Sequence, residues 1–256
     1  MTMGAIDSRE DGSGGRVPAA VNSDVWVFTD LRSRRHFDFS LNVLAKARKL
    51  TAAAGGKTVA CLLAPAGRSG PARSEADACL LAAAAEAECL KHGADRVLVL
   101  ENPCFASPQA DLFARALAAA VRQDQPRLVL FALSDFGREL AARASRMCRT
   151  GLIADCQDLR ADPGGRIVGL CPAWGGRILS EITFAEGWGT GFATVLAHGR
   201  PPAPGEAAQG EVQRRPVADP PATTGLRRVD ARPAPESQRR LENAEIVVVG
   251  GAGLGS

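Results

Sequence analysis

The sequence contains no tyrosine, and aromatic residues make up only 5% of its 256 residues. Alanine, valine and leucine must therefore fill the core, which favours close packing of helices on a sheet over an aromatic-rich β-sandwich. A large excess of charge is also missing, because the net charge is only +3. A nucleic-acid-binding domain usually carries a strong basic patch, so we expect no nucleic-acid partner.

Long apolar runs are missing as well. No stretch approaches the ~20 apolar residues of a membrane span, and residues 1–20 have no apolar segment of the kind found in signal peptides. The seven cysteines are odd in number and show no Cys-x-x-Cys spacing, which argues against a disulfide framework or a zinc site. We therefore expect a cytoplasmic protein without a membrane span, whose cysteines are small buried hydrophobes.

The first half of the chain alternates between two kinds of segment. Apolar runs predict strands over residues 25–29, 57–63, 96–100 and 128–133. Segments with helical spacing predict helices over residues 40–54 (capped by Ser40), 74–92, 108–122 and 137–149. Strict alternation of strands and helices is typical of a parallel sheet that helices cover on both faces. The predicted fold class is therefore α/β.

The pattern changes after residue 151, where strands follow one another with little helix between them. These predicted strands cover residues 152–159, 167–170, 178–184 and 191–196, with hairpin turns at 162–165 and 175–176. We expect them to add antiparallel edge strands to the parallel sheet. The predicted organisation is a disordered leader (1–22), an α/β domain (23–198), a linker rich in proline and arginine (199–240) and the start of a truncated second α/β domain (241–256).

A glycine cluster follows an apolar run over residues 246–249, which predicts a buried strand. Gly250, Gly251, Ala252 and Gly253 are the candidate cofactor-binding residues. Alternating glycines after a strand let backbone N–H groups approach a phosphate. Such turns also occur for steric reasons, so both interpretations stay open.

Other polar residues have weaker claims to a function. Ser134 and Asp135 follow a strand, where ligands collect in α/β sheets, but helix capping is the preferred interpretation. Four arginines lie on or near one face of the following helix and are interpreted as a solvated face: Arg138, Arg143, Arg146 and Arg149. The three histidines are scattered, at positions 36, 92 and 198, and suggest neither a triad nor a metal site. Nothing indicates an acid/base catalyst.

Two segments resemble the alpha subunits of electron-transfer flavoproteins. Gly137-Arg138-Glu139-Leu140-Ala141-Ala142-Arg143, continuing to Thr150-Gly151-Leu152-Ile153-Ala154-Asp155-Cys156, is similar to a helix and strand of that family. Pro172-Ala173-Trp174-Gly175-Gly176 resembles a second family stretch, and Ala193-Thr194-Val195 matches the strand after it. The segment from Glu245 to Ser256 is similar to the opening of the family's flavin domain.

The resemblance implies an adenine-nucleotide-hydrolase-like first domain and a heterodimer with a beta subunit. It also implies an electron carrier rather than a catalyst of bond chemistry, with FAD as cofactor. A flavin dehydrogenase would be the donor, and a quinone oxidoreductase or another protein the acceptor. The chain departs from the family at Ala252, where an arginine usually contacts FAD, so a charge-assisted hydrogen bond is lost.

Two alternatives stay open. The chain can be a truncated, flavin-free interaction domain that pairs with a beta subunit without electron transfer. The terminal glycine loop also resembles the nucleotide loop of adenylating enzymes related to the ubiquitin-activating enzymes. That resemblance covers only the last dozen residues, and the preceding domain does not share it.

Overall fold

The computed structural model describes residues 21–65, 82–185, 187–197, 199, 201–205, 210–218, 229 and 246–254. The chain divides into two compact units, residues 1–222 and 223–256, and each is described by itself. The predicted leader lies outside the described residues except for its last two. Asn22 already donates its backbone N–H to the Gln125 carbonyl, so ordered contacts begin before Asp24.

A parallel seven-stranded sheet forms the centre of the first unit. Its strands are β1 (Val25–Thr29), β2 (Thr58–Ala64), β3 (Arg96–Glu101), β4 (Leu128–Ala132), β5 (Leu152–Cys156), β9 (Gly191–Val195) and β10 (Glu211–Pro216). They lie in the order β10-β3-β2-β1-β4-β9-β5. Strands β1, β2 and β4 are buried at every position, because helices cover both faces. The predicted parallel sheet is confirmed.

In the part of the chain that the structure describes, four helices pack on this sheet: α1 (Arg34–Ala54), α2 (Ala82–Lys91), α3 (Ala110–Asp124) and α4 (Asp135–Cys148). Helices α1 and α2 share one apolar core with the sheet, and α3 and α4 share the core on its other face. The predicted cap of α1 is wrong. Ser33 is the N-cap, and Ser40 lies inside the helix, where its buried hydroxyl accepts the backbone N–H of Asp30.

A second, small sheet contains three antiparallel strands: β6 (Asp158–Ala161), β7 (Ile167–Ala173) and β8 (Ile178–Thr183). The two predicted hairpin turns are confirmed, because Ala161 pairs with Ile167 and Ala173 pairs with Ile178. The antiparallel strands therefore pair with one another rather than with the parallel sheet. The fold class, an α/β sheet flanked by helices with added antiparallel strands, is confirmed.

Three strand predictions need correction. The run 152–159 is two strands, β5 and β6, in different sheets; Asp155 has a φ of 58° and the pairing register shifts before Cys156, which turns the chain. Strand β9 is not an antiparallel edge strand but lies parallel between β4 and β5. Strand β10 lies inside the predicted linker and pairs with β3, so part of that segment belongs to the sheet.

Candidate functional site

The order of the strands defines where a ligand would be expected. The chain builds outward from β1 through β2 and β3, and then returns to place β4 on the other side of β1. In open α/β sheets, ligands bind beyond the carboxyl ends of the strands at this point of reversal. The segments that follow β1 and β4 lie there, so the candidate residues are Asp30, Arg32, Ser134, Asp135 and Phe136.

The protein's own side chains fill this position. The guanidinium of Arg32 binds the carboxylate of Asp30 through Nε, at 3.0 Å from Oδ1, and through Nη2, at 2.8 Å from Oδ2. Its Cζ atom lies 4.1 Å from the centre of the Phe136 ring. Asp30 is buried, so its charge needs this partner. The arginine thus occupies the place that a charged, stacked ligand would take.

Ser134 and Asp135 are placed at this edge of the sheet as expected, and they cap a helix there. The Ser134 hydroxyl accepts the backbone N–H of Gly137 at 3.0 Å, which makes it the N-cap of α4. The carboxylate of Asp135 is fully exposed and lies 3.8 Å from Arg138. The capping interpretation is confirmed for Ser134, and neither side chain faces a described cavity.

The arginines of α4 have different roles. Arg138 binds Asp155, with Nε 2.9 Å from Oδ1, and this hydrogen bond raises the pKa of the arginine. The backbone N–H of Asp155 donates to the Thr194 hydroxyl at 2.8 Å, so this group joins α4, β5 and β9. Arg143 pairs with Glu139. Arg146 and Arg149 are exposed and form no ion pair within the described residues.

Sequence reasoning missed Asp155 as the partner of Arg138, and Thr194 as the residue whose hydroxyl accepts the Asp155 backbone N–H. The signal was present, because both lie in the segments that carried the family resemblance. The spacing could not reveal the contact, since it depends on β9 lying beside β5.

The burial predicted for the cysteines is found for four of the six that are described: Cys61, Cys89, Cys156 and Cys171 are buried, whereas Cys104 and Cys148 are partly exposed. All six are free. Burial raises the pKa of the Cys61 and Cys89 thiols to about 12. Cys79 and His198 lie outside the described residues. His36 and His92 contact groups of their own helices, the Ser33 hydroxyl and the Glu88 carbonyl.

The described residues contain no group of three His, Cys, Asp or Glu side chains placed to hold a metal ion. None of their helices is both long enough and apolar enough to cross a membrane.

A cavity of about 390 Å³ lies elsewhere, between α1, the end of α2 and residues 202–205. Arg48 and Lys49 give it positive charge, while Leu41 and Ala45 line it with apolar surface.

The candidate cofactor residues lie in the second unit. The predicted strand over residues 246–249 is wrong: these residues form no strand, and Ile246 and Val248 are 83% and 93% exposed. A strand needs a neighbouring strand to satisfy its N–H and C=O groups, and the described residues of this unit provide none.

Ala252 and Gly253 lie in a single 3-10 turn (Ala252–Leu254) after Gly250 and Gly251, and all four are exposed. A phosphate cradle needs both a strand that fixes the turn and a helix that follows it. The described residues 246–254 contain neither, so by themselves they do not fit a flavin site.

A cluster of exposed apolar side chains in the first unit lies on β8 and on the turn before it. Trp174 is 81% exposed, Ile178 53%, Leu179 52% and Ile182 41%. We call these four residues the β8 strip. Alternation along the strand places Ile178 and Ile182 on one face of the small sheet and Leu179 on the other. Exposed apolar patches of this kind mark interaction surfaces in soluble proteins.

Together these features describe a doubly wound sheet domain. Its ligand position is closed by Arg32, while an apolar strand is open to solvent. The sequence profile of the electron transfer flavoprotein domain matches residues 25–220. The chain belongs to the electron transfer flavoprotein family.

Individual relatives are consistent with this assignment. Protein FixB of Rhizobium meliloti is 30% identical over 159 residues, which is 62% of this chain and 42% of that protein. Electron transfer flavoprotein subunit alpha of Thermoanaerobacterium thermosaccharolyticum is 28% identical over 159 residues, 62% of this chain and 44% of the relative. Acryloyl-CoA reductase electron transfer subunit beta of Anaerotignum propionicum is 30% identical over 146 residues, which is 56% of this chain and 36% of the relative. The chain thus spans less than half the length of these relatives.

Proposed function

We propose that the chain is an alpha-type subunit of an electron transfer flavoprotein, and that its first unit binds a beta-type subunit. Several relatives are named subunit alpha, which supports the alpha type. One relative is named an electron transfer subunit beta, so the name alone does not decide between the two types. Three family segments in the alpha order, over residues 137–156, 172–178 and 245–256, favour alpha.

The observation that carries this proposal is the contrast between a closed ligand position and an exposed apolar strand. Arg32 and Phe136 exclude a ligand from the reversal point of the sheet. The β8 strip lies open to solvent, where it can bind another protein. This contrast supports a first unit that binds another protein through the β8 strip rather than a ligand at the reversal point.

The remaining parts of the function belong to the same proposal. Electrons would come from a flavin dehydrogenase and go to a quinone oxidoreductase or a similar acceptor, in the cytoplasm. FAD would supply the electron-carrying group, with Gly250, Gly251, Ala252 and Gly253 as the proposed point of contact. Residues 246–254 by themselves form no cradle for a phosphate. Six free cysteines support a reducing compartment.

A second function is favoured by the exposure of residues 246–249. If these residues stay without a neighbouring strand, the chain is a flavin-free interaction domain that binds the beta-type subunit and carries no electrons itself. The adenylating alternative gains no support, because its loop also requires a strand over residues 246–249.

Co-purification tests the proposal. The tagged chain is expressed with the beta-type subunit encoded in the same genome, and a tagged, unrelated α/β protein serves as control. We expect the beta-type subunit to elute with this chain and not with the control. Elution of the folded chain alone would contradict the proposal. Visible absorbance of the pair, with flavin bands present or absent, separates the electron carrier from the flavin-free alternative.

A further inference from the structure

Two cysteine thiols lie side by side where the small sheet packs against the parallel sheet. Cys156 is the last residue of β5, and Cys171 lies in β7. The Sγ atom of Cys171 is 3.6 Å from the Sγ atom of Cys156. Both side chains are buried, with exposed fractions of 0% for Cys156 and 6% for Cys171. The proposed function uses neither thiol, so it does not explain why they are in contact.

The surrounding strands hold the two sulfur atoms at this distance. The Sγ atom of Cys171 also lies 3.3 Å from the carbonyl oxygen of Ala154 on β5. Gly169 lets β7 approach β5 closely, because an added Cβ there would lie 2.8 Å from Ile153 and 3.0 Å from the Sγ atom of Cys156. Both thiols belong to strands rather than to a loop, so backbone pairing fixes their separation.

A disulfide bond requires only a small movement from this arrangement. The sulfur atoms of a disulfide are about 2.0 Å apart, so the two Sγ atoms have to approach each other by about 1.6 Å. When the two side chains share this movement, each sulfur atom shifts by less than about 1 Å, which a modest rotation about each Cα–Cβ bond provides. The pair can therefore be bridged while both strands keep their pairing.

Burial decides how the two thiols can react. Desolvation raises the pKa of the Cys156 thiol, and the neighbouring Cys171 raises it further. Cys156 therefore stays protonated near neutral pH, and Cys171, the less buried thiol, is the one that an oxidant reaches first. The small opening at Cys171 favours a small oxidant such as a peroxide. After that step Cys156 is already in contact with the oxidised sulfur, so the second step is intramolecular.

We infer that Cys156 and Cys171 form a reversible dithiol–disulfide pair, which a hydroperoxide oxidises and which then fastens β7 to the end of β5. In the first step the O–O bond breaks, Cys171 becomes a sulfenic acid, and the rest of the peroxide takes the thiol proton and leaves as an alcohol or water. In the second step the Cys156 sulfur attacks the Cys171 sulfur, and the S–S bond forms. The sulfenic hydroxyl leaves as water with the proton of the Cys156 thiol.

The two thiols together have then given two electrons to the peroxide. A dithiol reductant returns both thiols by exchange. In a reducing compartment the bond is therefore transient, as expected of a disulfide that responds to oxidants.

Peptide mapping after peroxide treatment tests this inference. The full chain is treated with hydrogen peroxide, unfolded in an alkylating reagent and digested with trypsin without reduction, which places Cys156 in residues 150–160 and Cys171 in residues 167–177. We expect the disulfide-linked pair of peptides to increase at least about tenfold over the untreated chain. The buried Cys61 is the internal control and should remain alkylated. Two peptides that also remain alkylated, or bridges to other cysteines instead, would overturn the inference.

Cys156→Ala separates the pair from ordinary oxidation of Cys171. Without the second thiol, the Cys171 peptide should gain oxygen as a sulfinic acid, and the product that a dithiol reverses should fall at least about tenfold. Cys61→Ala is the matched control and should form the linked pair as the parent chain does. A reversible product at the parent level in Cys156→Ala would contradict the inference. If that variant does not fold, the parent chain decides, because dithiothreitol should restore both alkylated peptides and a resistant product would count against the pair.

Thermal unfolding tests whether the bond fastens β7. The disulfide closes a loop that spans 15 residues, which restricts the unfolded chain. We expect the unfolding midpoint of the oxidised chain to lie about 5 °C or more above that of the reduced chain. Peroxide treatment of Cys156→Ala should give no such rise. Equal midpoints for the oxidised and reduced parent chain would show that the bond does not hold β7 in place.

Discussion

The Nη2 atom of Arg214 lies 2.8 Å from both carboxylate oxygens of Glu86, and this contact fastens strand β10 to helix α2. The Nη1 atom of the same arginine binds Glu101 on β3, also at 2.8 Å. The Glu86 side chain is only 8% exposed, so the arginine neutralises a nearly buried charge. The segment that sequence patterns assigned to a linker is thus anchored to the first unit at this strand.

Arg214→Ala should therefore lower the free energy of unfolding by about 1–3 kcal/mol, because Glu86 is left with an unpaired charge. Arg143→Ala is the matched control, since it breaks an exposed pair with Glu139 one turn away and should change stability by about 0.5 kcal/mol or less. Urea unfolding of both variants measures the difference. Equal effects would show that the contact with Glu86 does not fasten β10.

Gly137→Ala should destabilise the protein, although alanine is the better helix former by about 1 kcal/mol. An added Cβ would lie 2.3 Å from the carbonyl oxygen of Ala132, so the start of α4 would have to move away from β4. Ala142→Gly, at an exposed position of the same helix, measures the helix preference of alanine over glycine where no close contact interferes. It should lower the free energy of unfolding by about 1 kcal/mol. Thermal unfolding checks both, and a more stable Gly137→Ala variant would contradict the close approach.

Arg32→Ala should lower the free energy of unfolding by about 1–3 kcal/mol, because the buried carboxylate of Asp30 loses its ion pair. The double variant Asp30→Asn with Arg32→Met removes both charges and should recover part of the loss. Chemical unfolding of the single and double variants measures this coupling. An Arg32→Ala variant as stable as the parent chain would mean that Asp30 does not depend on the guanidinium.

Stability should also fall in alkaline solution because of Cys61. Burial raises the pKa of this thiol from 9.0 to about 12. Above pH 9 the unfolded chain releases the proton and the folded chain keeps it, so the stabilising contribution is lost as the pH rises from 9 to 12. Cys61→Ala should show a smaller fall in urea midpoint over this range. An identical fall would exclude the thiol as its cause.

The sequence predicted the local features of the fold, and the long-range pairings required the structure. Continuous apolar runs indicate buried strands such as β1 to β4, because burial on both faces leaves no polar position. Apolar runs could not predict that β9 lies between β4 and β5, because a strand's neighbours depend on the path of the whole chain. Strand β10 was missed because an edge strand in the sequence Glu-Val-Gln-Arg-Arg-Pro has no apolar pattern.

The candidate site was predictable in part for the same reason. Ser134 was placed correctly at the end of β4, because strand ends and helix caps are local. The closure of the reversal point by Arg32 and Phe136 joins residues about a hundred positions apart, and no local pattern reports it. A local pattern was also insufficient for residues 246–249, where it predicted a strand that the structure does not contain. Their composition suits a buried strand, but a strand also needs a neighbour.

Native mass spectrometry tests the central claim most directly, because one spectrum reports both the partner and any bound flavin. The sample is this chain purified alone and together with the beta-type subunit. The account predicts that the co-expressed sample contains one copy of each subunit, and the added mass of FAD, present or absent, separates the electron carrier from the flavin-free alternative. A chain that remains monomeric beside a folded beta-type subunit would contradict the account.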